Sequence, residues 1–337
     1  MKKIGFACKY KSKIKDKKLA KEKEQHYNTK STTLKHLKTL SKEESDFKME
    51  SIIKHNLEST FKLLEYVKTL RKELQMLRLT SDLLPFYTHK DLEDFYKDKT
   101  VMNTIEKGLL KIGDFAKKEN IRLSFHPGQF CVLASDAKEI IERSIEEFEY
   151  HTEMAKMMGF AKEFQDLKCN IHISGKGGVE EFRRTFKKLS PESRNIITVE
   201  NAEYRYGLDD CLKVSDLCPT VLDVHHFWIM EEHYINKKDP RIKKILDSWR
   251  GVRPTMHYSQ SREEHFDIKK DKNKKIDIKA LLNGKYNKRM LAAHSDMMWN
   301  NSLNKEVAPL WEFFDIMVEA KNKNLASIDL LEKIKRL

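Results

Sequence analysis

Imidazole and carboxylate side chains recur where the sequence predicts that β-strands end. Seven of the eight predicted strands are followed, at or just past their carboxyl ends, by residues that can bind a metal ion. Imidazole and carboxylate ligands without thiolate are typical of zinc, manganese or iron sites, and not of a structural zinc site or a calcium cage. The candidate residues are His89, His126, His172, Glu200, Asp223, His225, His226, His257, His294, Asp296 and Glu319.

The set is stronger evidence than any of its members. A lone strand-end histidine such as His172 is more often a hydrogen-bonded core residue than a ligand. Consecutive strand residues point to opposite faces, so we expect at most one of His225 and His226 to face the site. Imidazoles and carboxylates gathered at one point need a cation to compensate them. Two ions a few ångströms apart can clamp a phosphodiester, although the same ligand types also serve sugar isomerases.

The other histidines are predicted to lie outside the site. His265 falls in a charged stretch and is left out. Five more fall on predicted helices or polar loops and are expected at the surface, namely His26, His36, His55, His151 and His233.

Short apolar strands alternate with amphipathic helices along most of the chain. The predicted strands are 2–7, 75–80, 121–125, 170–173, 195–200, 220–224, 254–258 and 315–319. The predicted helices are 47–73, 101–118, 137–158, 179–189, 208–217, 240–249 and 325–334. Eight alternating units predict an α/β fold, a (β/α)8 TIM-type barrel, in one domain over residues 1–337. Such a barrel would gather the candidate ligands at its carboxyl-terminal face, among extra loops.

Charge and composition indicate which classes of binding partner the chain is compatible with. A net charge of +13 is compatible with a nucleic-acid partner without establishing one. Residues 10–45 are rich in lysine and are predicted to form a polar loop or insertion with room for one short helix.

The sequence gives no sign of a membrane or export signal. It contains no run of about 18 apolar residues, and its amino terminus turns charged at once. Five cysteines without paired spacing suit a reducing compartment. We therefore expect an intracellular protein.

The stretch His126-Pro127-Gly128-Gln129-Phe130 belongs to a set of motifs found together in one known family. Through this set of motifs, which occur in the family's order between residues 4 and 321, the sequence resembles the UV damage endonuclease family. The other matching motifs are Gly5-Phe6, Leu84-Pro85-Phe86 before His89, Val199-Glu200-Asn201, Asp223-Val224-His225-His226, His257-Tyr258-Ser259, His294-Ser295-Asp296 and Val318-Glu319-Ala320-Lys321.

The resemblance implies a barrel that binds two or three divalent ions, manganese first, with zinc or magnesium as alternatives. It also implies ATP-independent incision of damaged double-stranded DNA on the 5′ side of UV photoproducts and some other lesions. No membrane and no obligatory protein partner are implied. The implied metal ligands are His89, His126, His172, Glu200, Asp223, His226, His257, His294 and Glu319.

The resemblance also implies residues that touch DNA. Gln129 and Phe130 correspond to a pair that wedges into the duplex beneath the lesion. An aromatic ring can replace lost base stacking, and an amide can satisfy an exposed base edge. Phe6 is expected near the site. Apart from the resemblance, the basic residue Lys176 lies in a glycine-rich stretch after the fourth strand, near the mouth of the site, and is expected to contact phosphate.

The chain departs from the family at three positions. Phe6 and Phe130 stand where the family usually or often has tyrosine. Thr255 stands where the family often has a lysine that can be carboxylated to bridge metals, so metal occupancy or ligand geometry is expected to differ.

Alternative functions remain open from the sequence. They are an abasic-site endonuclease of the endonuclease IV type, a metal-dependent sugar isomerase or epimerase, and a non-catalytic DNA-binding relative. The expected nucleophile is a metal-bound hydroxide, and the sequence assigns no side chain as general acid.

Overall fold

Eight parallel strands close into a barrel in a computed structural model that describes residues 1–336. Each strand pairs with its neighbours in sequence, and the last strand pairs with the first. The strands are β1 Ile4–Ala7, β2 Met76–Arg78, β3 Arg122–Phe125, β4 Lys168–His172, β5 Ile197–Glu200, β6 Thr220–Asp223, β7 Thr255–Tyr258 and β8 Asp315–Val318. The predicted (β/α)8 TIM-type barrel is therefore confirmed.

Within residues 1–336, sixteen α-helices connect and surround the strands. They are α1 Lys17–Tyr27, α2 Leu34–Leu37, α3 Lys42–Thr69, α4 Glu93–Lys97, α5 Lys99–Lys118, α6 Lys138–Met157, α7 Gly178–Phe186, α8 Pro191–Ile196, α9 Leu208–Leu212, α10 Val224–Glu231, α11 Pro240–Ser248, α12 Ile268–Asp271, α13 Ile278–Leu282, α14 Lys288–Ala292, α15 Asn301–Val307 and α16 Lys323–Lys335. None of the described helices is both long and apolar enough to cross a membrane.

Local sequence signals explain where several elements begin and end. Ser41 and Glu44 form a capping box at the start of α3, which satisfies amide groups that have no partner inside the helix. Pro191 begins α8, so the strand predicted from residue 195 starts two residues later. Gly5 is required in β1, because a Cβ atom there would lie 2.6 Å from the carbonyl oxygen of Met76.

The lysine-rich segment 10–45 is more ordered than predicted. It contains α1 and α2 and the start of α3, whereas the sequence predicted a loop with room for one short helix. Tyr10 and Leu37 are buried, and the Tyr10 ring packs 4.9 Å from the ring of Tyr66 on α3. The backbone amide of Lys11 donates to the Asn324 side chain at 2.7 Å. These few contacts, and not charge periodicity, fix the segment against the barrel.

The sixth strand is shorter than predicted because a helix begins at its end. The Asp223 side chain accepts a hydrogen bond from the amide of His226 at 2.7 Å and so caps α10. Strand alternation therefore does not apply to His225 and His226, which lie side by side on the first turn of a helix.

His151 contradicts the prediction that it lies at the surface. It is fully buried on α6, and its Nδ1 donates to the carbonyl oxygen of Glu147 at 2.8 Å. For the other histidines of that group, the predicted surface position agrees better with the structure. His26, His36 and His233 are exposed, and His55 is half-buried. Charged neighbours along the chain concealed the buried face of α6.

Burial of His151 predicts a pH dependence of stability. Desolvation lowers its pKa from 6.5 to about 4, against the opposing hydrogen bond to Glu147. The unfolded chain therefore binds more protons between pH 6.5 and 4, and stability is lost as the pH falls through that range. We expect His151→Gln to reduce the loss of unfolding free energy between pH 7 and pH 5 by about 2 kcal/mol.

Urea unfolding with EDTA at the two pH values measures this effect. His36→Gln is the matched control, because His36 is exposed and its loss should leave the decline unchanged. An identical decline in His151→Gln and the parent would show that His151 does not resist protonation in the folded state.

Candidate metal centre

Glu200, at the end of β5, is the centre of the candidate site. Its side chain is only 1% exposed, and its two carboxylate oxygens face different histidines. Oε2 lies 3.4 Å from Nε2 of His126 and 3.0 Å from Nδ1 of His257. Oε1 lies 3.4 Å from Nδ1 of His226. One buried carboxylate therefore joins ligands from strands β3, β5 and β7 and helix α10.

Backbone carbonyl groups orient two of these histidines. Nδ1 of His126 lies 3.0 Å from the carbonyl oxygen of Pro127, and Nδ1 of His226 lies 3.0 Å from that of Asn201. A carbonyl oxygen only accepts, so the facing Nδ1 carries a hydrogen, and Nε2 is the nitrogen that can give up its proton to a metal. Nε2 is therefore the metal-binding atom that each ring offers, an arrangement found in many metal sites.

The Asn201 side chain holds Asp223 in place. It donates to the Asp223 carbonyl oxygen at 2.9 Å and accepts from the Asp223 amide at 2.8 Å. Oδ1 of Asp223 caps α10, whereas Oδ2 is buried without a hydrogen-bond partner among the described residues. The free Oδ2 is the atom that Asp223 can offer to a cation.

Electrostatic effects make the site attractive to cations. Burial raises the pKa of Asp223 to about 7, although His226 opposes that shift. Burial would lower the pKa of His226, but Asp223 and Glu200 raise it to about 9. For Glu200, burial is outweighed by His257, His172 and His126, which hold its pKa well below its ordinary value. The potential at His226 is therefore strongly negative.

His257 lies between two carboxylates and a lysine. Its Nδ1 is 3.0 Å from Glu200 Oε2 and 3.2 Å from Glu319 Oε1, without hydrogen-bond alignment. Its Nε2 is 2.8 Å from Nζ of Lys168, and both side chains are buried. On its other side, Glu319 forms a close ion pair with Arg78. Because Lys168 occupies Nε2, Nδ1 is the atom that His257 can offer to a metal.

His172 and His294 complete the group on opposite sides. Nε2 of His172 lies 3.9 Å from Glu200 Oε2, and its Nδ1 is buried without a hydrogen-bond partner in residues 1–336. The His294 ring lies 6.5 Å from the ring of His226. Burial lowers the pKa of both histidines and keeps them neutral, as metal ligands must be.

These side chains fit a pair of metal ions. His126, His172 and Glu200 can bring three ligand atoms within 4.8 Å of one another, and so can Glu200, Asp223 and His257. Asp223 Oδ2, His172 Nδ1 and His257 Nδ1 are buried without hydrogen-bond partners in the described residues. Buried polar atoms are rarely left unpaired, so a cation is the natural partner for such a set. Glu200 belongs to both triads and is placed to bridge.

His89 is the predicted ligand that the structure does not bring into contact with this cluster. Its side chain is 40% exposed, and its Nδ1 accepts from the amide of Asp91 at 3.1 Å. It lines a cavity of about 800 Å³ next to the cluster's third-strand loop. Gln129 and Phe130 line the same cavity. Its role as a ligand stays a prediction, with Nε2 as the available atom.

The residues predicted to touch DNA fall into two groups. Phe130 is 84% exposed, and Gln129 and Lys176 are also exposed, so all three are accessible to a ligand. Phe6 is completely buried in the core, which contradicts its assignment to the DNA-contacting set. Its ring packs in the main apolar core of the protein.

Three functional side chains were missed in the sequence. Lys168 and Asn170 lie on β4 with His172, and Asn170 donates to Glu200 Oε2 and accepts from Thr198 at 2.8 Å. Residues i, i+2 and i+4 of a strand share a face, so the spacing could have placed both beside His172. The predicted strand began at residue 170 and therefore left out Lys168. Arg78, which pairs with Glu319, lies on β2 and had no motif around it.

Comparison with known proteins gives consistent matches over the whole chain. A family model described as "UV-endonuclease UvdE" matches residues 2–337. The UV DNA damage endonuclease of Bacillus cereus (strain B4264) is 28% identical over 319 residues, covering 90% of this chain and 89% of that protein. The UV DNA damage endonuclease of Bacillus anthracis is 26% identical over 318 residues with the same coverage.

A solved structure shares the fold. The crystal structure of SacUVDE is similar to this chain with a TM-score of 0.73 and 24% sequence identity. The match covers 100% of this chain and 99% of that one.

The contact between Lys168 and His257 predicts an effect on metal affinity. When Nδ1 of His257 binds a cation, Nε2 keeps its hydrogen and donates it to the buried Lys168 side chain, which accepts as the neutral amine. Burial favours that form, because it lowers the pKa of Lys168 to about 7. Loss of a group that orients a ligand typically weakens metal binding about 10–100-fold. We expect Lys168→Met to raise the dissociation constant for Mn²⁺ by at least about tenfold, measured by electron paramagnetic resonance of free Mn²⁺.

Lys3→Met is the control for simply removing a buried lysine. Lys3 is buried at the opposite end of the barrel interior, where its Nζ donates to the carbonyl oxygen of Gln75 at 3.1 Å. The Lys3→Met variant should have a lower melting temperature and an unchanged affinity for Mn²⁺. Unchanged or tighter Mn²⁺ binding by Lys168→Met would mean that Lys168 does not position the His257 ring.

Proposed function

The chain belongs to the UV-endonuclease UvdE family, and we propose that it incises damaged double-stranded DNA on the 5′ side of UV photoproducts in a metal-dependent reaction. The observation that carries this proposal is the histidine and carboxylate cluster around Glu200 at the carboxyl-terminal face of the barrel. Active sites of this barrel type form at that face. A DNA substrate places the protein inside the cell, and its five cysteines are all free thiols.

Two or three divalent ions, manganese first, are the proposed cofactor. The proposed ligands are His89, His126, His172, Glu200, Asp223, His226, His257, His294 and Glu319. When bound, such ions activate water and neutralise charge on the phosphate that is being cut. Imidazole and carboxylate ligands suit manganese and zinc better than magnesium, which prefers oxygen ligands and keeps several waters.

The chain's own residues hold this centre rigid and correctly charged. Glu200 is fixed by the amide of Asn170, and Asp223 is fixed by the amide of Asn201. Arg78 neutralises part of the charge of Glu319 and restrains its position. Ligands that are already in position need no reorganisation during the reaction. Such preorganisation is a main source of rate enhancement in enzymes. No titratable side chain in this arrangement is assigned as general acid.

Gln129 and Phe130 are proposed to enter the duplex beneath the lesion. They follow the candidate ligand His126 by three and four residues on the loop after β3. The Phe130 ring is 84% exposed, so it is free to enter a ligand. A base pair weakened by a photoproduct opens at low cost, and the ring can take its stacking place.

Competing functions make different demands on the same site. A sugar isomerase needs no exposed wedge and no affinity for a duplex. An abasic-site endonuclease shares the metals and differs in the lesion. A non-catalytic relative, suggested by Thr255, would bind DNA without cutting it.

A nicking assay tests the proposed function. We expect the parent protein with Mn²⁺ to make one cut on the 5′ side of a single defined cyclobutane dimer, and none with EDTA or on undamaged duplex. His126→Ala removes a proposed metal ligand beside Glu200 and should lower the cutting rate by about 100-fold or more. His36→Ala removes an exposed histidine far from the cluster and should cut like the parent.

The alternatives give separate outcomes in the same assay. Cutting of an abasic duplex but not of the dimer would move the protein to the abasic-site class. Salt-sensitive DNA binding with Mn²⁺ bound but no cutting would identify a non-catalytic relative. Absence of both binding and cutting would overturn the nuclease proposal altogether.

Phe130 provides a second prediction, about lesion recognition. Base stacking on an aromatic ring contributes about 1–3 kcal/mol, so Phe130→Ala should lower cutting at the dimer by roughly 5- to 150-fold. Phe130→Tyr retains the ring and should cut within a factor of about two of the parent, a limit set well below that stacking effect. Both variants should bind as much Mn²⁺ as the parent. Equal cutting by Phe130→Ala and the parent would exclude the wedge role.

A further inference from the structure

The connection between β7 and β8 contains an excursion, residues 262–293, that the proposed reaction does not use. Ser261 and His294 form an antiparallel bridge, so the chain leaves and returns at one point. The excursion therefore begins just past the carboxyl end of β7 and ends at a proposed metal ligand. Its base lies on the same face of the barrel as the Glu200 cluster.

The base of the excursion is firmly packed. The carbonyl oxygen of Leu291 accepts from Ser261 Oγ at 2.6 Å and lies 3.1 Å from Nε2 of His225. Leu291 and Ile278 are buried in a small apolar cluster with Trp228 of α10. The excursion is thus tied to the helix that carries His226, and its surface has a defined place beside the site.

The charges of the excursion are strongly unequal. It holds ten basic and five acidic residues, an excess of five in a chain whose net charge is +13. It follows that a segment of 32 residues carries five of the 13 net positive charges of the protein.

The acidic residues are all committed to local contacts. Glu263 accepts from the amides of Asp296 and Met297 at 2.8 Å each. Glu264 pairs with Arg262 at 2.9 Å. The other three carboxylates accept from backbone amides at helix starts, and they belong to Asp267, Asp271 and Asp277. None of the five is paired with a lysine of the excursion.

The lysines, in contrast, are largely free. Lys275 and Lys288 pair with acidic residues outside the excursion. Six others are exposed and form no ion pair within residues 1–336, namely Lys269, Lys270, Lys272, Lys274, Lys279 and Lys285. Their local carboxylates are used elsewhere, so their charge is available to a partner.

The backbone under three of these lysines is held in place. The Asn300 side chain donates to the carbonyl oxygen of Lys274 at 3.0 Å, and the backbone amide of Asn301 donates to the carbonyl oxygen of Lys272 at 2.6 Å. Lys270 lies on α12, which Asp267 caps. The exposed side chains of these lysines therefore extend from a fixed backbone, which suits binding to a line of phosphates.

We propose that Lys270, Lys272 and Lys274 bind phosphates of the DNA duplex next to the cut, and this inference rests on the proposed function. A duplex carries one negative charge per ~1.7 Å of its axis, so a substrate seated on the Glu200 cluster presents phosphates to a neighbouring basic surface. Phosphate contacts fix position and register without reading sequence. The excursion therefore contributes affinity for any duplex, damaged or not.

The test is a charge-removal variant with a matched control. Lys270→Gln, Lys272→Gln and Lys274→Gln are combined in one protein. The control combines Lys118→Gln, Lys187→Gln and Lys188→Gln, which remove the same charge from exposed lysines. These lie at or just past the carboxyl ends of α5 and α7, at the opposite face of the barrel.

Duplex affinity is measured by fluorescence anisotropy between 50 and 200 mM KCl, with dimer-containing and undamaged DNA. Each phosphate contact contributes about −0.9 to the slope of log K against log salt. We expect the slope of the first variant to move toward zero by about 2 to 3 on both DNAs, with an unchanged cutting rate at saturating DNA. The control variant should keep the parent slope.

The two proposals fail in different ways. A parent protein that cuts the dimer, with equal slopes in parent and first variant, would overturn the inference about the excursion alone. Equal slope changes in both variants would also overturn it, because only net charge would then matter. A parent that neither binds nor cuts the duplex would overturn the proposed function itself. Equal Mn²⁺ content and equal melting temperatures exclude misfolding as the cause of a change.

Discussion

A carboxylate that is only 1% exposed, surrounded by imidazoles from several elements, is the constraint on which the rest of the structure depends. Burying the charge of Glu200 costs several kcal/mol unless positive or polar groups surround it closely. Here His126, His257 and His226 lie within 3.4 Å of its oxygens. A closed barrel supplies such a place, because eight strand ends converge on one opening.

The same constraint explains the other charges inside the barrel. Arg78 lies against Glu319 as a fixed cation, and the Lys168 side chain lies against His257. Burial lowers the pKa of Lys168 to about 7, while Glu200 opposes the shift. The interior is therefore balanced by residues of its own, yet it keeps unpaired oxygen and nitrogen atoms at the mouth. That combination gives a stable fold and a site still able to bind cations.

Sequence patterns predicted the elements that repeat along the chain. They missed the positions of residues that depend on single contacts. The eight strands were predicted because each is a short apolar run between helices, and their ends placed all but one of the proposed ligands together. His89 lies on a long loop whose path no periodicity determines. His151 was misplaced because one buried face of α6 is hidden among charged neighbours, and Phe6 because a motif match says nothing about exposure. For His225 and His226, the expectation rested on a strand where Asp223 starts a helix.

The consequence of having Thr255, where the family often has a lysine, is clear only from the three-dimensional structure. Along the sequence, the lysine that the family often has two residues before His257 is missing, and Thr255 is fully buried with an unpaired hydroxyl. In the barrel, Nζ of Lys168 reaches the same histidine from β4, at 2.8 Å. A buried lysine beside His257 is therefore retained, although it comes from a different strand. Because interior side chains of a barrel meet across the axis, the charge near His257 is a property of the whole ring of strands and not of β7 alone.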